Sequence, residues 1–133
     1  MSVRKVSYFV AKVPNRAGAA AHVLNALRGV NLLVFTGFPA AGGAQVDFIP
    51  QNAAAFKAAA NRAKLKVKLK TGGFLIQGGD RPGAIARIMS RLAAVKINVT
   101  AIDAVSAGGG RFGAILWVKP KDAGKAARAL GAR

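Results

Sequence analysis

The sequence has no cysteine, no glutamate and a single histidine, His22. Without cysteine there can be no disulfide, no thiol nucleophile and no Cys-ligated metal. The acids are four aspartates, Asp47, Asp80, Asp103 and Asp122, too few and too scattered to suggest a catalytic carboxylate pair, and one histidine makes neither a relay nor a metal site. This scarcity points to a protein that is not an enzyme and needs no cofactor or metal. Long apolar runs are also missing. The uncharged stretch 29–46 contains Asn31, Thr36, Pro39 and several glycines, which excludes a membrane span. At the N-terminus Lys12 interrupts the short apolar run before any cleavage-like site, so the expectation is a cytoplasmic protein without a leader.

What is abundant is apolar content, 53% of residues, and positive charge, with 21 Lys and Arg giving a net charge of +17. The first is enough to fill a core, which argues against disorder. The second makes an anionic partner plausible, whether nucleic acid, phosphate, carboxylate or an acidic protein.

A repeat organises the chain. Asn15-Arg16-Ala17-Gly18 returns as Asp80-Arg81-Pro82-Gly83. After each comes an apolar stripe with helical spacing, Ala20, Val23, Leu24 and Leu27 in one copy and Ile85, Ile88, Met89 and Leu92 in the other. Each helix leads to an asparagine, Asn31 or Asn98, and a β-rich run, then a glycine turn and a second strand. Pro50 and Pro120 close those strands, and Asn52 and Asp122 stand where N-caps of an Ala-rich helix belong. A strand precedes each matched loop, Val3–Val13 and Phe74–Gln77. Each half therefore reads strand, helix, strand, strand, helix, one strand short of a βαββαβ ferredoxin-like unit.

"KLKVKLK", Lys64–Lys70, alternates strictly and is the candidate for the missing strand of the first half. Thr71-Gly72-Gly73 would then turn it back as a hairpin onto Phe74–Gln77. After its closing helix the second half stops at Arg133, without a last strand of its own. The expected domains are 1–70 and 71–133.

The loop Asp80-Arg81-Pro82-Gly83 after a strand, the amphipathic helix behind it, "KINV" and the glycine turn resemble an ACT domain; "VPNRAG" with "GVNLL" is a fainter copy. The resemblance implies an α+β fold of two ACT units in tandem, with antiparallel sheets and helices on one face. It also implies a regulatory, non-catalytic protein that binds an amino acid or similar small effector at the loop after the first strand, near an interface between paired domains. The site residues it suggests are Gly79, Asp80, Arg81, Pro82, Gly83 and Asn98, with Asn15, Gly18 and Asn31 in the first copy. Asp80 is suited to cap the helix and Pro82 to stand near its first position. Amide groups at the helix start can receive a carboxylate. Asn15 and Ala17 replace Asp80 and Pro82 in the first copy, which makes the second loop the sharper candidate. A homodimer would cover exposed sheet edges, and a regulated protein partner would carry the output.

A second reading is an RRM-like RNA-binding module with a basic sheet face. "RFGAILW", Arg111–Trp117, partly matches an RNP1 pattern, although Ala114 stands where a stacking aromatic belongs. Gln77-Gly78 before Arg81 approaches the acylphosphatase loop but is one residue short, and "GGDRPG" is not the G-x-G-x-x-G of dinucleotide binding.

Overall fold

The computed structural model describes every residue from Met1 to Arg133. It is an α+β protein of six strands and four α-helices. In chain order these are β1 (Ser2–Val13), α1 (Ala19–Ala26), β2 (Leu32–Ala40), β3 (Gly43–Pro50), α2 (Ala53–Arg62), β4 (Lys68–Gly79), α3 (Ala84–Ala94), β5 (Val99–Gly108), β6 (Arg111–Val118) and α4 (Ala123–Leu130). A 3₁₀ turn at Pro120–Asp122 leads into α4. None of the helices is long and apolar enough to cross a membrane.

The chain divides into two compact units, Tyr8–Lys70 and a second made of Met1–Ser7 with Thr71–Arg133. In the first unit the strand order is β2-β3-β1, all antiparallel. Its core gathers Phe9, Phe48, Phe56 and Leu27, with Val23, Leu24, Leu65 and Val67 against it. The rings of Phe9 and Phe56 lie 4.7 Å apart and those of Phe48 and Phe56 5.2 Å apart, both tilted as aromatic pairs prefer. Asn52 caps α2 as expected: its Oδ1 accepts the Ala55 amide at 3.0 Å.

In the second unit the order is β1-β4-β6-β5, with β1 represented by its first half. Phe74, Ile76, Leu116, Ile88 and Leu92 form its core. Arg133 bridges to β1 through the backbone: its amide donates to the Val3 carbonyl at 3.0 Å, and its carbonyl accepts the Lys5 amide at 3.2 Å.

Three local expectations differ from the structure. Thr71-Gly72-Gly73 makes no hairpin, because β4 runs unbroken through it. Gly72 takes φ +100 there, and a side chain would collide with the Val118 carbonyl oxygen, so the glycines let one strand bend against β6 instead of reversing it. The regular strand starts at Lys68, not Lys64; Leu65 and Val67 turn inward as the alternation requires, whereas Leu69 is left 56% exposed. Asp122 does not cap α4 with its side chain; it ends the 3₁₀ turn that Pro120 begins, and that turn supplies the helix entry.

Candidate functional site

The site in the second unit is built on the end of β4. Gly79 is the last residue of that strand and pairs with Arg111 of β6. The β5–β6 hairpin turns through Gly109 and Gly110, both at positive φ (61° and 72°), the two-residue geometry that glycine makes easy. This tip holds the loop: the Asp80 amide donates to the Gly110 carbonyl at 2.8 Å. The same hairpin carries Ser106, whose hydroxyl donates to Asp80 Oδ2 at 2.9 Å.

Asp80 is therefore fixed by β5 and not by α3. The helix begins at Ala84 and its N-cap is Gly83, in the left-handed region at φ 81, with no side-chain cap hydrogen bond. Pro82 falls in the turn before that cap, not at the first helical position. The expected capping role of Asp80 is thus corrected: a glycine cap needs no side chain, which leaves the carboxylate to face the cleft. The Ala84 amide donates to the Arg81 carbonyl at 3.2 Å, and the first intrahelical bond runs from Arg87 to Gly83 at 3.0 Å. The amides of Ile85 and Ala86 lie in the first turn, where the helix provides no acceptor.

These groups border a cleft of about 350 Å³, lined among others by Asp80, Arg81, Gly83, Ile85, Ala86 and Ser106. Phe112 reaches it from the core, and Ala104, on the same face of β5 as Ser106, lines it as well. Of the sequence-derived residues, Asp80, Arg81 and Gly83 meet here, with Gly79 and Pro82 adjoining them in the chain. Asn98 does not join them, since it precedes β5 and the cleft lies at the other end of that strand. Asn31 likewise precedes β2, where its Nδ2 donates to Gln51 Oε1 at 3.0 Å. Ser106 and Gly110 escaped the sequence reading. The signal for Ser106 was its register opposite Phe112, which only the hairpin pairing reveals.

The matching loop of the first unit borders a different cleft, to which the loop brings Asn15 and Arg16 and β2 brings Phe35 and Pro39, while the Phe38 side chain stands on the other face of the sheet. Gly18 caps α1 in the left-handed region at φ 84, as Gly83 caps α3. His22 is exposed on α1, and no group of three or more His, Cys, Asp or Glu side chains gathers in the chain. The two aromatics suited to RNA stacking are both buried, Phe112 at 6% and Trp117 at 7% exposure, so neither presents a ring to a base.

No protein-family model matches the sequence, and no curated protein matches it. The fold does have counterparts. Protein BT0572 of Bacteroides thetaiotaomicron is similar over 97% of this chain and 88% of its own, with a TM-score of 0.80 at 15% identity. The regulatory subunit of aspartate kinase from Thermus thermophilus, in its ligand-free form, is similar over 98% of this chain and 95% of its own, at TM-score 0.64 and 19% identity. The corresponding subunit from Thermus flavus gives 98% and 94%, TM-score 0.58 and 18% identity. At these identities the likeness is one of fold alone.

Proposed function

We propose that this protein is a non-catalytic regulatory module whose Asp80 cleft binds an amino acid. The observation that carries the reading is that one cleft combines a held carboxylate with the acceptor-free amides of a helix start. Ser106 occupies one oxygen of Asp80; the other is available to an ammonium group. The Ile85 and Ala86 amides, with Arg81 at the rim, suit the carboxylate at the other end of the same ligand. The regulatory character of the structural counterparts supports the same role.

The finer architecture belongs to the proposal too. Each unit is a ferredoxin-like βαββαβ domain of ACT type. Lys68–Lys70 serves as the last strand of the first, and Ser2–Ser7 as the last strand of the second. The module works in the cytoplasm as a homodimer, pairing along exposed strand edges, and passes ligand occupancy to a protein partner. A ligand acts in such a device only through its differential affinity for two arrangements.

Isothermal titration against the twenty amino acids tests the reading. At least one is expected to bind saturably, and Asp80→Asn, which keeps the shape and removes the charge, is expected to weaken it about tenfold. The thermal midpoint should hardly move, because Asp80 is exposed. If none of the twenty binds in the millimolar range, or binding ignores Asp80→Asn, the proposal fails.

A further inference from the structure

The cleft of the Tyr8–Lys70 unit occupies the position that the Asp80 cleft occupies in the other unit, but its chemistry has been inverted. It measures about 290 Å³, near the lower end of small-ligand sites, which begin at about 300 Å³. The correspondence can be followed residue by residue. Asn15 stands for Asp80 and Arg16 for Arg81 in the repeated loop. Pro39 is opposite Ala44 in the β2–β3 hairpin, as Ser106 is opposite Phe112 in the β5–β6 hairpin. Both groups that could hold an ammonium are thereby lost. Asn15 carries no charge, and Pro39 has no hydroxyl to orient it.

What replaces them is apolar and aromatic. Phe35 lines the cleft and remains 36% exposed; Phe38 adjoins it in the chain, but its side chain stands on the other face of the sheet with Thr36 and Gln45. Phe35 is anchored on one side by the core, its ring 5.3 Å from that of Phe48. Val13, Val46 and Pro14 complete the walls. Arg16 is the one formally charged residue of the lining, and it also borders the neighbouring hollow that runs to Gly18 and His22. An amino acid would bring its ammonium to a site with no carboxylate and a guanidinium nearby, which costs the ligand its cationic end. A molecule with an anion at one end and a flat apolar body at the other meets no such penalty. It places its carboxylate on Arg16 and covers the part-exposed ring of Phe35.

We infer that the cleft beside Arg16 binds a small monocarboxylic acid with a flat apolar body and no ammonium group. This goes beyond the amino-acid reading of the Asp80 cleft and does not depend on it.

The test uses the ¹⁵N-labelled full chain and two probes that share a phenyl-ethyl-carboxylate frame, 3-phenylpropionate and phenylalanine. 3-Phenylpropionate is expected to shift the amides of Asn15–Gly18 and Phe35–Phe38 saturably, and phenylalanine to bind there about tenfold more weakly. Arg16→Gln and Phe35→Leu should each weaken 3-phenylpropionate several-fold, while Phe38→Ala, on the other face of the sheet, and Asp80→Asn leave it unchanged. The double variant Asn15→Asp with Pro39→Ser, which installs the acid and hydroxyl of the other cleft, should move the preference toward phenylalanine. The inference is overturned if neither segment shifts saturably, if phenylalanine binds there as tightly, or if Arg16→Gln has no effect. Sedimentation of Phe35→Leu adds a further check: a change of oligomeric state with no change in ligand affinity would assign the ring to a second copy of the chain and end the proposal. Failure of the Asp80 reading is separately visible, because its signals are the amides of Asp80 and Ser106.

Discussion

Asp47, like Asp103, is an acid to which the sequence assigns no role, and it is buried, 5% exposed in the middle of β3. Gln45 Nε2 donates to one of its oxygens at 3.0 Å and Thr36 Oγ1 to the other at 3.4 Å. Its charge reaches Tyr8, whose phenol is raised above its ordinary value first by burial and then by Asp47. Both causes disfavour the phenolate, so the folded protein keeps the Tyr8 proton at pH values where the unfolded chain has released it. Stability from this source is whole below the ordinary tyrosine value of about 10 and declines as pH rises through the window above it. Tyr8→Phe has no proton to lose. The difference in urea midpoint between the two proteins should therefore be constant from pH 7 to about 9.5 and then shift in favour of Tyr8→Phe. A difference that stays flat to pH 11 (about one unit past the free phenol) would mean that Tyr8 titrates as it does in the unfolded chain.

Helix entry separates the two halves at the level of elements. Asn52 caps α2 through a side-chain bond, whereas α4 is entered through a 3₁₀ turn in which Asp122 makes no such bond. Asn52→Ala should cost about 1 kcal/mol. Asp122→Ala removes only a charge near a helix start, an effect that salt screens. In roughly 0.5 M NaCl, chemical denaturation should thus still register the loss at Asn52 and almost none at Asp122; equal losses in salt would show that Asp122 bonds to the helix after all. The same contrast explains how much was legible beforehand. The helices were readable because Ala20 to Leu27 and Ile85 to Leu92 keep a helical period, and the strands because Pro50, Pro120 and the glycine pairs mark their ends. β4 was not, since Thr71-Gly72-Gly73 is ordinary turn chemistry, and only the close pass of Gly72 by Val118 makes it a bend within a strand. The cleft was half legible. Asp80, Arg81 and Gly83 are neighbours in sequence, but Ser106 enters through a hairpin register that depends on where the Gly109–Gly110 turn falls.

Charge is a property of the whole chain. The 21 basic residues face only four aspartates, of which Asp47 is buried among neutral donors and Asp80 is bonded to Ser106. Even if every aspartate were paired one to one with a cation, 21 − 4 = 17 basic side chains would remain without an internal counter-charge. Such a surplus repels itself in the compact state and is relieved on unfolding, so it lowers stability by an amount that ions in solution can screen. The Debye length falls from about 30 Å at 0.01 M salt to about 8 Å at 0.15 M and about 3 Å at 1 M. Between the first two values, repulsion across a small domain is largely switched off. The thermal midpoint should therefore climb as NaCl is raised from about 0.01 to 0.15 M, then flatten as the remaining like-charge pairs become shorter than the screening distance. Multivalent anions should produce the same rise at lower concentration, because they associate with clustered cations as well as screening them. A midpoint that fell with added NaCl would mean that attractive pairs outweigh the repulsion of the +17 surplus, and would overturn this account.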